Sequence, residues 1–122
     1  MLLVFWETAC LPCRAAIPSL KTVQSRYGPQ GLEIIAIAYE EGSLGERIRK
    51  VQNMRDRLGI NYQLLLGGDA GSCPVRIQFG VNAFPTLVLL DEHNRIIWRQ
   101  RGLDSYKLQE LEMLIKQQTR RY

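Results

Sequence analysis

Two cysteines separated by two residues, Cys10-Leu11-Pro12-Cys13, stand where an apolar run, Leu2-Leu3-Val4-Phe5-Trp6, gives way to a helical pattern. This placement constrains the chain more than any other feature, because a strand has to end and a helix begin at two sulfurs able to close a small disulfide ring. A helix N-terminus favours the negative thiolate at the first cysteine, which makes Cys10 the expected nucleophile and Cys13 its resolving partner. Attack on a substrate disulfide and release through a mixed disulfide are both sulfur chemistry, so such a dithiol needs neither a metal nor an organic cofactor. A zinc site, the competing use of a cysteine pair, wants four ligands, usually from a second pair at matching spacing. The chain offers only Cys73 and His93, single and scattered.

Length and composition set the frame for that motif. With 122 residues the chain is expected to be a single domain over 1–122. The 46% apolar content is ordinary, and no apolar run approaches the ~18 residues of a membrane span. Met1 leads at once into the strand pattern, which reads as a domain lacking an N-terminal segment of a longer chain. The net charge of +4 is spread over several helical segments and has no base-stacking motif beside it, so a solvated basic surface is expected and no nucleic-acid partner.

The elements alternate. Ala16, Leu20, Val23 and Tyr27 form one face of a first helix that ends before Gly28-Pro29, with Pro18 expected to kink it. Residues Leu32 to Tyr39 read as a strand buried on both faces. Leu44, Ile48, Val51 and Leu58 mark a second helix stopped at Gly59, followed by a short strand from Tyr62 to Leu66 and a loop, Gly67-Gly68-Asp69-Ala70-Gly71. That loop lacks both the Gly-Lys-Ser/Thr ending and the GxGxxG spacing of phosphate sites, so it reads as turn chemistry. Pro74 to Phe79 can form a short helix. Thr86 to Leu90 and Arg95 to Arg101 make an antiparallel hairpin around Asp91-Glu92-His93-Asn94. Leu108, Leu111, Leu114 and Ile115 give the stripe of a last helix, from which Thr119-Arg120-Arg121-Tyr122 trails off. The expected class is α/β: a central mixed sheet, parallel early and antiparallel late, with helices on both faces.

This order, with Phe5-Trp6 ahead of Cys-x-Pro-Cys and Pro85-Thr86 opening the penultimate strand, resembles the thioredoxin superfamily from Leu2 to about Gln118. Phe-Trp-x-x-x-Cys-x-Pro-Cys-Arg followed by Pro18 is most similar to its TlpA/ResA branch, and the second helix and third strand look like that branch's insertion. The resemblance implies a thioredoxin fold and a thiol-disulfide oxidoreductase that reduces or exchanges disulfides in partner proteins, supplied by an upstream thiol-disulfide electron donor. It further implies an extracytoplasmic place, periplasmic or membrane-tethered, with apocytochrome c among the candidate substrates. A monomer is expected. Net oxidation or isomerisation differs only in redox poise. A redox-inert interaction module and a thiol peroxidase are rival readings, the latter disfavoured because the cysteine pair suits disulfide exchange better.

By the same resemblance Phe84-Pro85-Thr86 is the cis-proline loop, with Pro85 opposite the dithiol and the Phe84 backbone free to pair with an extended partner. Trp6, Leu11, Pro12, Phe84 and Thr86 are the implied substrate-contacting residues. Thioredoxins keep an aspartate just before Phe-Trp, where this chain has Val4. The branch instead has a carboxylate after its buried strand, which points to Glu41 by spacing, with Glu40 close behind, as the group handling the proton of Cys13; the rival reading is a solvated pair at a strand end. Two departures stand out: Ala9 replaces the usual tryptophan before the first cysteine, and Glu7 sets an acid near the dithiol that would oppose thiolate formation. Trp98 and His93 read as packing and solvent-facing residues, and Cys73 as a small buried one.

Overall fold

The computed structural model describes residues 1–68 and 73–119. Its elements are β1 (Leu2–Trp6), α1 (Leu11–Tyr27), β2 (Ile34–Ala38), α2 (Leu44–Leu58), β3 (Gln63–Leu66), α3 (Pro74–Gln78), β4 (Thr86–Leu90), β5 (Ile96–Arg101) and α4 (Ser105–Thr119). The strands form one sheet in the order β3-β2-β1-β4-β5. β1 pairs parallel with β2, and β2 with β3, while β4 runs antiparallel to both β1 and β5. The expected class and mixed sheet are therefore present.

β1 is apolar at every position because it is central and covered twice. Leu2, Val4 and Trp6 join the core that includes α1, α2 and α4, whereas Leu3 and Phe5 join the opposite core with Cys73, Phe79 and Val81 from the α3 side. β2 divides its side chains the same way, Ala36 and Ala38 towards the first core and Ile37 towards the second, where Tyr39 just beyond the strand also lies. Helices thus cover both faces.

α1 is one helix of 17 residues that runs through the exposed Pro18 and ends at Tyr27, before Gly28-Pro29 as expected. Other details depart from the sequence reading. In α2 the buried residues are Val51 and Met54, while Leu44 and Ile48 of the expected stripe are 58% and 40% exposed. That helix packs beside β3, the sheet's edge, which offers too little surface to cover its whole apolar face. β2 is shorter than the apolar run that suggested it, although Leu32 and Tyr39 beyond its ends remain buried. Of the expected glycine loop, Asp69, Ala70 and Gly71 lie outside the described residues, as do Arg120, Arg121 and Tyr122 of the C-terminal tail. No helix among the described residues is long and apolar enough to cross a membrane.

Candidate active site

The sheet register decides which loops meet. β1 and β2 run parallel with Trp6 opposite Ala38, so residues 7–10 and 39–41 leave the sheet side by side. β4 enters from the same end with Thr86 opposite Phe5, which brings residues 83–85 next to the segment that follows β1. The site forms where these three segments converge, at the carboxyl ends of the parallel strands.

The dithiol sits at the head of α1. Cys10 is the N-cap, its sulfur accepting the backbone N–H of Cys13 at 3.2 Å, and Pro12 occupies the first turn, where a missing donor costs nothing. The two cysteines are joined as a disulfide with Cα atoms 5.2 Å apart. Cys13 is 3% exposed within the α1 core while Cys10 is partly exposed. No acidic residue lies in the helix's first turn, so its N-terminal N–H groups act unopposed from within the helix on charge at Cys10.

Across from the dithiol, the Phe84–Pro85 peptide is cis. The Phe84 carbonyl oxygen lies 3.7 Å from the Cys10 sulfur, and Pro85 is buried. Leu11 is 72% exposed and Pro12 is exposed, so both border open space beside Cys10. Trp6 and Thr86, expected to contact substrate, have buried side chains. Trp6 is 3% exposed because β1 is buried on both faces, and Thr86, 1% exposed, turns its hydroxyl inward to the Ala83 carbonyl at 2.7 Å.

The two glutamates separate. The Glu40 carboxylate accepts the backbone N–H of Thr8 at 2.9 Å, two residues before Cys10. Glu41, favoured by spacing, is exposed, and its backbone carbonyl accepts from Lys50 Nζ. Strand parity explains the difference. Ala36 and Ala38 face the core that holds Cys13, and Glu40 continues their alternation while Glu41 does not.

A second cluster was not legible as a site. Tyr39 stacks on Phe84 with ring centroids 5.6 Å apart, and its hydroxyl lies 3.2 Å from the Cys73 sulfur. The Arg76 guanidinium sits 4.9 Å from the Phe84 ring centre and 5.4 Å from that of Tyr39. Burial pushes the Cys73 thiol up, but hydrogen bonds from Tyr39 and from backbone N–H groups at Arg76, Gly68 and Val75 bring it below the ordinary thiol value. Burial, together with the bond to Cys73, pushes the Tyr39 phenol well up. The only sequence signal for this cluster was Cys73 preceding Pro74. Arg99 of β5 holds the end of α3 in place by donating to the Phe79 and Gly80 carbonyls. Trp98 is buried with its Nε1–H on Glu110, and His93 lies exposed in the β4–β5 turn. Among the described residues no group of three or more His, Cys, Asp or Glu is gathered as a metal site would require.

Comparison with known proteins agrees with this geometry. A thiol-disulfide oxidoreductase ResA from Halalkalibacterium halodurans is 32% identical over 113 residues, covering 92% of this chain and 60% of the relative. ResA from Bacillus subtilis is 27% identical over 93 residues, covering 76% of this chain and 48% of its own length. The chain thus spans about half to three fifths of these relatives. A solved structure described as a thiol:disulfide interchange protein DsbE from Chlorobium tepidum superposes with a TM-score of 0.82 at 19% identity, over 97% of this chain and 78% of that one, and shows the same thioredoxin fold. Residues 1–115 match the Redoxin family model. Since that match runs from ahead of the dithiol, through the cis-proline loop and into the last helix, the chain belongs to the Redoxin family, as a ResA-like member of the thioredoxin superfamily.

Proposed function

We propose that the chain is a thiol-disulfide oxidoreductase that reduces or exchanges disulfides in partner proteins through Cys10 and Cys13. The observation that carries this reading is the Cys10 sulfur, partly exposed at a helix N-cap and 3.7 Å from the Phe84 carbonyl of the cis-proline loop. In the reduced protein the Cys10 thiolate attacks one sulfur of a partner disulfide. The other partner sulfur leaves as a thiolate and takes a proton, giving a mixed disulfide. Cys13 then gives up its proton and attacks the Cys10 sulfur, expelling the second partner thiolate. Two electrons have passed to the partner, and the Cys10–Cys13 disulfide is the product; an upstream thiol-disulfide donor returns the pair to the dithiol.

The other residues act around that exchange. The backbone at Phe84 and Pro85 receives an extended partner segment, and Leu11 and Pro12 offer it apolar contact. Glu40 accepts the proton released by Cys13 and returns it on reversal, while Glu41 stays at the periphery. The ResA likeness supports an extracytoplasmic place, periplasmic or membrane-tethered, with exported thiol proteins such as apocytochrome c as the substrate class, and thus a part in cytochrome c biogenesis.

The test uses a disulfide-linked peptide. Wild-type protein should turn over in the presence of a dithiol reductant. C13S should stop at a mixed disulfide visible by mass, and C10S should form almost none. A Cys10–Cys13 disulfide that resists mild reductant, or a C10S variant that traps partners as well as C13S, would overturn the reading. The reduction potential of the pair against glutathione sets the direction of flow.

A further inference from the structure

We infer that Arg76 is a specificity-determining residue of the dithiol groove: its guanidinium, stacked on Phe84 beside the Cys10 sulfur, selects disulfide-bearing segments that carry a carboxylate close to the reacting cysteine. The inference rests on the exchange activity proposed above and names the chemistry of its substrates.

Three observations carry it. The first is position. Phe84 presents its carbonyl to the Cys10 sulfur and its ring to the Arg76 guanidinium, so a single residue separates the reacting atom from a fixed positive charge. The second is rigidity. The Nε–H of Arg76 donates to the Val81 carbonyl at 2.9 Å, and the guanidinium is held over both Phe84 and Tyr39, whose planes lie within 13° of each other. An arginine already ordered by stacking loses little further freedom when it binds a carboxylate. The third is vacancy. Among the described residues none of the ion pairs involves Arg76, and a guanidinium with one donor engaged keeps four more.

Two carboxylates near the dithiol, Glu7 and Glu40, act against a carboxylate partner; Glu40 is fixed on the Thr8 N–H, and among the described residues neither is paired with Arg76. Arg14, exposed next to Cys13, adds a second positive charge on the helix side. A partner lying extended along the Phe84 backbone advances about 3.3 Å per residue, so a side chain one or two positions from its cysteine passes the Phe84 ring and meets Arg76. A carboxylate there forms a bidentate pair, whereas a lysine is repelled.

The experiment compares two disulfide-linked peptides that differ only in having Glu or Gln two positions from the cysteine. Wild-type protein should favour the Glu peptide in kcat/KM by about two- to fivefold at low salt, the size expected of a partly exposed charge pair. The preference should sit in KM and shrink as salt rises. R76Q should erase it and R76K, which keeps the charge but loses the stacked bidentate fork, should keep only part of it, while exchange with uncharged dithiothreitol changes far less than exchange with the Glu peptide. R14Q, which removes equal charge without touching Phe84, should leave most of the preference. Equal rates for the two peptides with wild-type protein overturn the inference even if R76Q fails to fold. So does an R76Q variant that slows both peptides alike, or an R14Q variant that erases the preference as completely as R76Q. Absence of exchange with either peptide would instead strike at the proposed function.

Discussion

Removing the Glu40 carboxylate tests whether the residue that sequence spacing ranked second is the one tied to the active-site loop. The acceptor it supplies to the Thr8 N–H lies at 2.9 Å in a partly buried setting, and Thr8 itself is 9% exposed. A buried donor left without a partner costs about 1–3 kcal/mol, and since water reaches Glu40 from its open side the lower half of that range applies to E40A. E40Q keeps an acceptor oxygen in place and loses only the charge assistance, so it should cost below ~1 kcal/mol. For a domain of this size the E40A loss corresponds to roughly 3–8 °C in Tm. Denaturant unfolding of the oxidised protein gives both values, and the slope of the transition checks that the two variants unfold from comparable states. An E40A variant as stable as wild type, or E40Q as damaged as E40A, would refute the tether. The proton role reads out separately: E40Q should shift the pH dependence of exchange and slow it by on the order of 10²-fold, whereas E41Q should do neither. If both variants keep the wild-type pH profile, water carries the proton.

Limiting iodoacetamide should label Cys10 of the reduced protein first, because Cys13 and Cys73 are 3% and 6% exposed; earlier labelling of either reverses the assigned roles. Y39F should destabilise the fold by about 1 kcal/mol near neutral pH through loss of the bond to Cys73. The loss should grow at alkaline pH: a thiol whose folded pKa is lowered contributes stability that is present above its unfolded value and lost as pH falls through the folded one. With Cys10 and Cys13 oxidised, Cys73 is the remaining thiol of the three cysteines, so ultraviolet thiolate absorbance follows it alone and should titrate higher in Y39F. G67A should cost about 1–3 kcal/mol, since an added methyl would lie 2.5 Å from a Tyr39 ring carbon that stacking on Phe5 and Phe84 keeps from moving aside; a Tm equal to wild type would show that the ring yields.

How far the sequence disclosed the site depended on the range of the interactions concerned. The strand-to-helix junction at Cys10 was legible because it is local: an apolar run, a cap position and a proline in the first turn all lie within a dozen residues. The Phe84 loop, more than seventy residues away, was found only through family resemblance, since no local pattern says that β4 pairs with β1. The choice between Glu40 and Glu41 turned on strand parity. The apolar run from Leu32 to Tyr39 hid it, because a strand covered on both faces has no alternation to show which side each residue takes. The burial of the Trp6 and Thr86 side chains was hidden for a related reason, as neither a motif nor a resemblance says which layer of the sheet a side chain enters. Arg76 carries no signal at all in a basic chain. Its meaning comes from Phe84 and Tyr39, which are distant from it in two directions along the sequence.

The substitution of Val4 for the acid that thioredoxins keep beneath their dithiol changes how charge on Cys13 can be managed. Val4 is 4% exposed in the same core as Cys13, and among the described residues no Asp or Glu side chain is buried. A thiolate formed at Cys13 therefore has no carboxylate inside the core to receive its proton, and a buried charge without a partner is costly. Relief has to come from the open end of the sheet, where the N–H groups of α1 point at Cys10 and where Glu40 is fastened to the segment leading into the dithiol. On the exchange proposed above, resolution by Cys13 would then depend on the geometry of residues 8–10, and attack by Cys10 on the Phe84 side. The two halves of the exchange are thereby assigned to different walls of the groove. E40Q should accordingly slow release from the mixed disulfide more than its formation, and R76Q should alter partner selection during formation while leaving release unchanged. Stopped-flow measurement of the two steps with one peptide separates these effects, and equal slowing of both steps by E40Q would refute the division.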